Sequence, residues 1–311
     1  MNKQIRVFAP ATVANVACGF DILGFAVDFP GDEVILKTLA EPGVKISSIT
    51  GDNGDLPKDP GKNTVSISIL SFLKQLKSDQ GFEIELIKKM PLSSGLGSSA
   101  ASAVAGVFAA NELLGNPLKK EELLPFILEG EKIACGSGHA DNAAPALFGG
   151  LVLIRSYSPL DIIKIPSPSN LYCILIHPHI LIRTEDARKM LKQQISLKEA
   201  TTQMGNIAGL ITGMINEDFE LIRRSMEDVI VEPVRSILIP GFEKIKNAAI
   251  KAGALGCSIS GSGPSIFALS TSEITAKEIG KSMQAVLQEL KINSDIFISK
   301  INHDGPRILK K

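Results

Sequence analysis

Residues 91–101 read Pro91, Leu92, Ser93, Ser94, Gly95, Leu96, Gly97, Ser98, Ser99, Ala100 and Ala101. They follow an alternating segment, 83–87, that predicts a strand, and they open an alanine-rich segment that predicts a helix over about 98–114. Gly95 and Gly97 permit left-handed backbone and let a ligand approach the main chain closely. A helix N-terminus with free N–H groups binds phosphate without Lys or Arg. The stretch therefore predicts a phosphate-binding loop; the alternative is a serine-capped helix after a flexible turn.

Two common nucleotide-binding fingerprints do not account for this loop. A Walker A loop places Ser or Thr after its Gly-Lys pair, whereas Gly61 and Lys62 are followed by Asn63. The G-x-G-x-x-G spacing of dinucleotide-binding folds is also missing from residues 91–101. The predicted phosphate loop is therefore of another kind.

Charge and composition narrow the classes of partner. Lys+Arg is 33 and Asp+Glu is 33, so the formal net charge is zero. A nucleic-acid coat or a polybasic membrane binder needs a basic excess. Trp is absent and Tyr is only 2, so surfaces for stacking bases are poorly supplied. We expect a small-molecule substrate, with neither nucleic acid nor membrane as a partner.

The spacing of the cysteines and the apolar segments indicate in which cellular compartment the protein is expected. The four cysteines are Cys18, Cys135, Cys173 and Cys257. Because they are far apart and form no C-x-x-C pair, we expect reduced thiols in a cytoplasmic protein. Pro10, Thr12 and Asn15 interrupt the apolar N-terminal stretch, which argues against a signal peptide. The uncharged run 90–111 holds too many serines and glycines for a membrane-spanning helix.

The order of predicted elements indicates an α+β fold of two domains. Helical and strand patterns alternate along the chain, and 311 residues correspond to roughly two domains. Residues 156–170 are rich in proline and serine and are the candidate linker, although 161–165 could pair as a strand. We expect domains at 1–160 and 161–311. Residues 136–150 are expected to be rich in loops.

Three blocks of sequence resemble one known family. Residues 91–101 resemble the second motif of the GHMP kinases, residues 9–15 running on to 19–21 resemble the first motif, and 256–264 resemble the glycine-rich third motif. The resemblance implies an N-terminal ATP-binding domain with a left-handed βαβ unit and a ferredoxin-like C-terminal domain. It also implies that nucleotide and substrate meet in the cleft between them, and that the protein is a homodimer.

Further blocks resemble the branch of this family that phosphorylates L-homoserine. They are His-Ala-Asp-Asn-Ala-Ala-Pro-Ala at 139–146, Thr-Glu-Asp-Ala-Arg at 184–188, and Arg235 ahead of 238–242. The implied reaction converts ATP and L-homoserine to ADP and O-phospho-L-homoserine, a step of threonine biosynthesis. A mevalonate-pathway kinase of the same family remains an alternative. A non-catalytic regulator is a third, but it would be expected to lack parts of the phosphate loop or Glu131.

An amino-acid substrate needs a cationic clamp for its carboxylate and acceptors for its ammonium group. Arg188 and Arg235 suit the carboxylate, because a guanidinium binds it in bidentate fashion. Asn15, Asp21 and Asp141 suit the ammonium and hydroxyl groups. With the residues that the resemblance adds, the predicted substrate set is Thr12, Asn15, Asp21, His139, Asp141, Thr184, Arg188 and Arg235.

The resemblance also assigns cofactor and catalytic roles. It implies that residues 91–101 hold ATP, that Asn63 lies near the adenine, and that Ser99 and Glu131 bind Mg²⁺, which prefers oxygen ligands. Asn142 stands where related kinases have an Asp that acts as the general base. A neutral amide cannot accept a proton in this way. We therefore predict catalysis by positioning and charge neutralisation, with Asn142, Asp141 and Arg188 as catalytic residues and Asp141 as the rival base.

Overall fold

The computed structural model describes residues 3–136 and 138–310. The strands are β1 (Gln4–Ala14), β2 (Leu23–Leu39), β3 (Val44–Thr50), β4 (Gly81–Ile87), β5 (Leu151–Tyr157), β6 (Leu160–Ile165), β7 (Tyr172–Pro178), β8 (Gly256–Ile259), β9 (Ile266–Ser270), β10 (Ser294–Lys300) and β11 (Arg307–Lys310). The α-helices are α1 (Thr64–Leu76), α2 (Ser98–Leu113), α3 (Leu124–Cys135), α4 (Ala140–Phe148), α5 (Thr184–Lys189), α6 (Leu197–Asn216), α7 (Phe219–Ser225), α8 (Glu232–Arg235), α9 (Phe242–Lys251) and α10 (Glu273–Glu289). Over these ranges no helix combines the length and apolarity that crossing a membrane requires.

The strands form two sheets. The larger has the order β11-β1-β2-β4-β3, and β5 and β6 extend it from β2. Its β3–β4 pair is parallel and is joined through α1, whereas β1, β2 and β4 pair antiparallel. The smaller sheet is antiparallel, in the order β10-β7-β9-β8. That order and its β-α-β-β-α-β connectivity are ferredoxin-like, which confirms the α+β class. The hand of the β3–α1–β4 crossover stays a prediction.

The smaller sheet is buried on both faces. Along β7, Cys173 and Leu175 belong to the core shared with the larger sheet, while Ile174 and Ile176 pack with α9 and α10. This alternation follows from the two-residue period of a strand. A strand buried on both sides reads as an uninterrupted apolar run, which is the pattern at 173–176.

The expected linker at 156–170 is mostly strand as far as Ile165, which confirms the alternative that 161–165 pairs as a strand. Strands β5 and β6 pair as a hairpin, with Tyr157 opposite Leu160 and Ile154 opposite Ile162. Leu160 and Ile162 pack against the main core, so the apolar side chains of this segment favour pairing over an open linker. The predicted division after residue 160 falls at the first residue of β6, and β11 returns to the larger sheet beside β1. The domain limits stay a prediction.

The expectation of loops over 136–150 is wrong, because α4 occupies most of that range. Its alanines have high helix propensity, and Ala140, Ala143, Ala144 and Ala146 are fully buried. The polar residues at its start and Pro145 within it hide the helical period in the sequence. A Cβ on Gly24 of β2 would lie 1.9 Å from the Asp141 carbonyl oxygen, so α4 lies directly on this strand.

Helix α2 lies at the centre of the first domain. It contacts β1 and β2 on one side and α1, α3 and α4 around the rest of its surface. Most of its residues are buried, as expected for a helix without a polar face. Its alanines and Gly106 allow close approach: a Cβ at Gly106 would lie 2.4 Å from Val65 Cγ2. The small residues are therefore required by packing as well as by the phosphate loop at the helix start.

A buried acidic residue anchors both ends of the phosphate loop. Asp32 on β2 has no exposed surface, and its carboxylate pairs with the Lys88 ammonium group. One carboxylate oxygen accepts hydrogen bonds from the backbone N–H groups of Lys89 at 2.8 Å and Met90 at 3.2 Å. The other accepts from the Ser98 hydroxyl at 2.8 Å. Asp32 therefore connects the chain before the loop to the first residue of α2.

Lys88 completes this buried cluster. Its ammonium group donates to the Ser98 carbonyl oxygen at 2.9 Å and to the Ser102 hydroxyl at 2.7 Å. Together with Asp32, these acceptors satisfy the three N–H donors of the lysine. A buried charge is tolerated only when it is paired and hydrogen-bonded in this way.

We expect Asp32→Asn to destabilise the protein by about 3 kcal/mol, because it leaves the Lys88 charge buried without its counter-charge. Urea unfolding would measure the change. The control is Asp161→Asn, which removes an exposed pair with Arg155 and should cost less than about 1 kcal/mol. Equal losses in the two variants would contradict the anchoring role of Asp32.

Candidate active site

Most of the predicted site residues line one cavity of about 360 Å³. Those on its wall are Asn15, Asp21, Asn63, Leu92, Ser93, Ser94, Gly95, Gly97, Ser98, Ser99, Ala100, Glu131, His139, Asp141, Asn142, Thr184, Arg188 and Arg235. The predicted residues that do not line it are Thr12, Pro91, Leu96 and Ala101. Leu96 and Ala101 are fully buried in the core instead, and this accounts for their apolar character.

The phosphate loop presents an uncapped helix start to this cavity. Ser93, Gly95 and Gly97 have left-handed backbone, with φ of 53°, 78° and 68°. Gly97 is the N-cap of α2, so no side chain satisfies the first N–H groups of the helix, and its first turn holds no acidic residue. Free N–H groups and the positive end of the helix dipole favour an anion at this position.

The glycine-rich segment around residues 256–264 packs against the phosphate loop. The Ser260 hydroxyl donates to the Gly95 carbonyl oxygen at 2.7 Å, and the Ser265 N–H donates to the Ser94 carbonyl oxygen at 3.1 Å. A Cβ on Gly95 would lie 2.4 Å from the Ser260 carbonyl oxygen. Glycine is therefore required at 95 both by its positive φ and by this backbone contact.

Glu131 and Ser99 form an oxygen-rich corner beside the loop. Glu131 on α3 is 3% exposed, and its Oε1 atom has no hydrogen-bond partner among the described residues. Burial raises the pKa of this carboxyl to about 7, although a hydrogen bond from Ser99 opposes the rise. No cluster of three metal-ligating acidic, His or Cys side chains occurs among the described residues. The pair fits Mg²⁺, which takes few protein oxygens and completes its shell with phosphate and water.

The opposite end of the cavity carries two arginines around one aromatic ring. Arg188 on α5 makes a bidentate pair with the Asp21 carboxylate, at 3.0 and 3.1 Å. Arg235 is 3% exposed and donates to the Gly261 carbonyl oxygen at 3.0 Å; burial lowers its pKa. The Phe20 ring lies 5.6 Å from the first guanidinium and 5.1 Å from the second, within cation–π range. This contact of Phe20 with both guanidinium groups could not be predicted from the sequence pattern.

Polar contacts hold the remaining substrate-end residues in place. The Asn15 amide donates to the Gly261 carbonyl oxygen at 2.8 Å and accepts from the Asp21 N–H at 3.0 Å. The Thr184 hydroxyl lies 3.2 Å from the Ser262 hydroxyl. Asn15 thus fixes the backbone that carries Asp21, and Thr184 joins α5 to the glycine-rich segment.

Asp141 lies in the first turn of α4, with 2% of its surface exposed, and no residue within 3–136 or 138–310 forms a hydrogen bond with its Oδ1. Burial raises the pKa of this carboxyl to about 7, and the negative charge of Asp21 adds to the rise. His139, the N-cap of α4, has its pKa lowered by burial and then by the nearby Arg188. This end of the cavity therefore favours a neutral imidazole.

Asn142, the residue after Asp141, lines the same cavity. Its Oδ1 accepts a hydrogen bond from the Thr12 hydroxyl at 2.8 Å. A Cβ on Gly97 would lie 2.1 Å from that hydroxyl oxygen and 2.8 Å from Asn142 Oδ1. Thr12 therefore orients the amide beside the phosphate loop, although it does not line the cavity itself.

Asn63 has a structural role that the sequence did not suggest. Its side-chain oxygen accepts from the Val65 N–H at 3.2 Å and so caps α1, and its amide donates to the Pro57 carbonyl oxygen at 2.9 Å. Leu56 and Pro57 line the same part of the cavity. Asn63 thus shapes this wall, and its contact with adenine stays a prediction.

Lys88 is the functional candidate that the sequence reasoning missed. It lines the cavity at the base of the phosphate loop, where its charge is matched by Asp32. Lys88 and Lys89 stand one residue before the loop, and this pair of charges was the sequence feature that could have indicated a role for Lys88. Ser102 also lines the cavity, one helical turn after the loop.

Comparison with known families identifies the class of protein. The family model described as the GHMP kinases N terminal domain matches residues 63–150, and that described as GHMP kinases C terminal matches 210–289. The chain belongs to the GHMP kinase family.

Three relatives that match over nearly the full chain show which members of the family this protein resembles. A homoserine kinase of Chlorobium phaeobacteroides (strain BS1) is 55% identical over 99% of this chain and 100% of its own. The crystal structure of homoserine kinase from Cytophaga hutchinsonii is 61% identical, with a TM-score of 0.97, and covers 98% of this chain and 97% of that chain. L. major mevalonate kinase in complex with R-mevalonate has a TM-score of 0.71 at 19% identity over 96% of this chain and 95% of its own, so it shares the fold.

The raised pKa of Asp141 predicts a pH-dependent cost to stability. The carboxyl loses its proton less readily in the folded protein, with a pKa of about 7, than in the unfolded chain. Its ionisation therefore weakens folding as pH rises towards 7, and the weakening is absent well below pH 4. We expect Asp141→Asn to stabilise the protein more at pH 8 than at pH 5, by about 2–3 kcal/mol. Urea unfolding at both pH values measures this, and an equal difference at the two would refute it.

Proposed function

We propose that this protein transfers the γ-phosphoryl group of ATP to the side-chain hydroxyl of L-homoserine, giving O-phospho-L-homoserine and ADP. One observation carries the proposal: a single cavity has an uncapped helix start at one end and two arginines with acidic and amide acceptors at the other. The first end suits a triphosphate and the second suits an amino-acid zwitterion. The names of the full-length relatives support the choice of substrate.

On the nucleotide side, the loop at 91–101 binds the phosphates through its backbone and the N-terminus of α2. Lys88, whose charge is matched by Asp32, donates to the Ser98 carbonyl oxygen and so holds the end of this loop in place. The apolar wall at Leu56 and Pro57 suits the nucleobase.

Ser99 and Glu131 would hold Mg²⁺ in this scheme, and the ion when bound would neutralise charge on the phosphate oxygens. The buried Glu131 oxygen without a partner supports this assignment, since a buried polar atom ordinarily has one. The Thr64 hydroxyl lies 3.1 Å from that of Ser99 and orients it.

At the acceptor end, Arg188 and Arg235 bind the substrate carboxylate, and Asp21 accepts from its ammonium group. The Asp21–Arg188 pair supports this assignment, because the Asp21 carboxylate occupies the guanidinium as a substrate carboxylate would. His139 and Thr184 line the same end. These contacts direct the substrate hydroxyl towards Asn142 and the phosphate loop.

Catalysis in this proposal rests on positioning and charge neutralisation. Asn142 orients the hydroxyl, Arg188 fixes the substrate, and the hydroxyl proton passes to phosphate or water. Asp141 is the rival base, because a carboxyl with a pKa of about 7 accepts protons near neutral pH.

Kinetics of Asp141→Asn separate the two roles. We expect KM for L-homoserine to rise while kcat stays within about threefold of wild type, because the amide keeps the shape but loses the charge. Steady-state assays measure both parameters. A loss of 10²-fold or more in kcat with KM unchanged would instead identify Asp141 as the general base.

The same cavity geometry supports two alternative functions less well than it supports the phosphorylation of L-homoserine. A mevalonate-pathway kinase would use the arginines but would leave Asp21 and Asn15 without an ammonium group to bind. A non-catalytic regulator would have no need for the complete phosphate loop and the buried Glu131.

We place the reaction in the cytoplasm and in threonine biosynthesis, carried out by a homodimer. The free, buried thiols of Cys18, Cys173 and Cys257 support a reducing compartment.

An ADP-release assay with Mg-ATP and a panel of acceptors tests the function. We expect turnover of L-homoserine and little of D-homoserine, L-serine, mevalonate or galactose. Arg188→Gln should raise KM for L-homoserine on the order of 10²-fold and leave KM for ATP within about twofold, because only the carboxylate clamp is lost. The control is Arg183→Gln, an exposed neighbour off the cavity wall, which should behave as wild type. Turnover of another acceptor in place of L-homoserine would refute the assignment.

A further inference from the structure

The turn at 15–21, between β1 and β2, is held in an unfavourable backbone conformation. Asn15, Val16, Ala17 and Asp21 all have positive φ, at 71°, 45°, 60° and 59°, although none is glycine. Such residues persist only where surrounding contacts determine their conformation. This turn carries Asn15 and Asp21, which both line the acceptor end of the cavity. Whatever holds the turn therefore acts on the substrate site.

A buried glutamine on α6 supplies one such contact. Gln203 is 6% exposed, and its amide nitrogen donates to the Cys18 carbonyl oxygen at 2.7 Å and to Asp228 Oδ1 at 2.9 Å. Its side-chain oxygen accepts from the Val229 N–H at 3.0 Å. Cys18 lies in the middle of the turn, so Gln203 ties the turn to the segment that follows α7.

Asp228 extends this connection to α8. It is 7% exposed, and Oδ1 accepts from the N–H groups of Ile230 at 2.9 Å and Val231 at 3.0 Å. Oδ2 accepts from the Glu232 N–H at 2.8 Å. These bonds fix the start of the short helix whose last residue is Arg235. A rotation of Asp228 would therefore move the buried guanidinium at the substrate site.

We propose that Gln203 and Asp228 are positioning residues that set the separation between the turn carrying Asp21 and the helix carrying Arg235, and thereby the affinity for the acceptor substrate. Neither residue lines the cavity, so both act through the groups that do. The Gly261 carbonyl oxygen, which accepts from both Asn15 and Arg235, ties the same two elements on the cavity side. The inference rests on the proposed function for the identity of the acceptor.

The first test compares two matched variants. Gln203→Leu removes a buried amide with three hydrogen bonds. Asn111→Leu also removes a buried amide with three hydrogen bonds, at the far end of α2 and off the cavity wall. We expect both to lower the melting temperature, but only Gln203→Leu to raise KM and Kd for L-homoserine, by about tenfold. KM for ATP should stay within about twofold in both, because the phosphate loop does not depend on Gln203.

The second test reports on the turn without using activity. Cys18 is 1% exposed and burial raises the pKa of its thiol to about 12, so alkylation of the folded wild type is slow. We expect iodoacetamide to label Cys18 at least about fivefold faster in Gln203→Leu, because the turn opens locally. Labelling of Cys173 and Cys257, which have no exposed surface, should not change. Mass spectrometry of the peptides resolves each site.

The outcomes distinguish this inference from the proposed function. Unchanged Cys18 labelling in Gln203→Leu, or an equal loss of acceptor affinity in Asn111→Leu, would overturn the positioning role. If wild type binds ATP but not L-homoserine, the proposed function fails, while faster labelling confined to Cys18 still supports the hold of Gln203 on the turn.

Discussion

The buried pair of Asp32 and Lys88 is the constraint on which the site depends. The protein has no net charge, so a phosphate must be bound by local geometry, and that geometry is the position of the α2 N-terminus relative to the end of β4. Asp32 sets this position by accepting hydrogen bonds from both sides of the loop. In a low-dielectric interior such a network is strong when every member is satisfied and costly when one is lost. The loop can therefore be glycine-rich and still hold one shape.

The site also keeps charges where folding alone would not place them. Glu131 and Asp141 are buried carboxyls that each have an oxygen without a partner among the described residues, and burial raises the pKa of both to about 7. Apolar side chains fill the core and Asp32 is paired with Lys88, but Ser68, Ser167 and Glu232 also carry a buried oxygen without a partner in that part of the chain. Buried carboxyls with raised pKa are expected where binding or catalysis requires them. Glu131 and Asp141 lie at the two places where phosphate and acceptor would meet the protein in the proposed reaction.

The two ends of the cavity are assembled by different means. The phosphate end is built around one continuous stretch, whose strand, loop and helix are adjacent in the chain. Asp32 and the glycine-rich segment hold this stretch by hydrogen bonds from elsewhere in the fold. The acceptor end draws on the turn at 15–21, the start of α4, and the arginines of α5 and α8. These elements are joined by the Gly261 carbonyl oxygen, by the Phe20 ring and by the buried amide of Gln203. The acceptor end is therefore assembled from more separate elements than the phosphate end.

The sequence by itself determined the local features: the phosphate loop and its glycines, the helix α2 that follows it, and the types of side chain that a kinase of this family needs. Each rests on neighbouring residues, whose period and turn chemistry are readable in one dimension. Only the tertiary structure decided that 140–148 is helical, because its alanines gain their stability by packing on β2. It also decided that residues far apart in the chain meet, such as Asp32 with Lys88 and Gln203 with Cys18. Hydrogen bonds over such separations leave no period or spacing in the sequence, since a partner is chosen by the fold that brings it near.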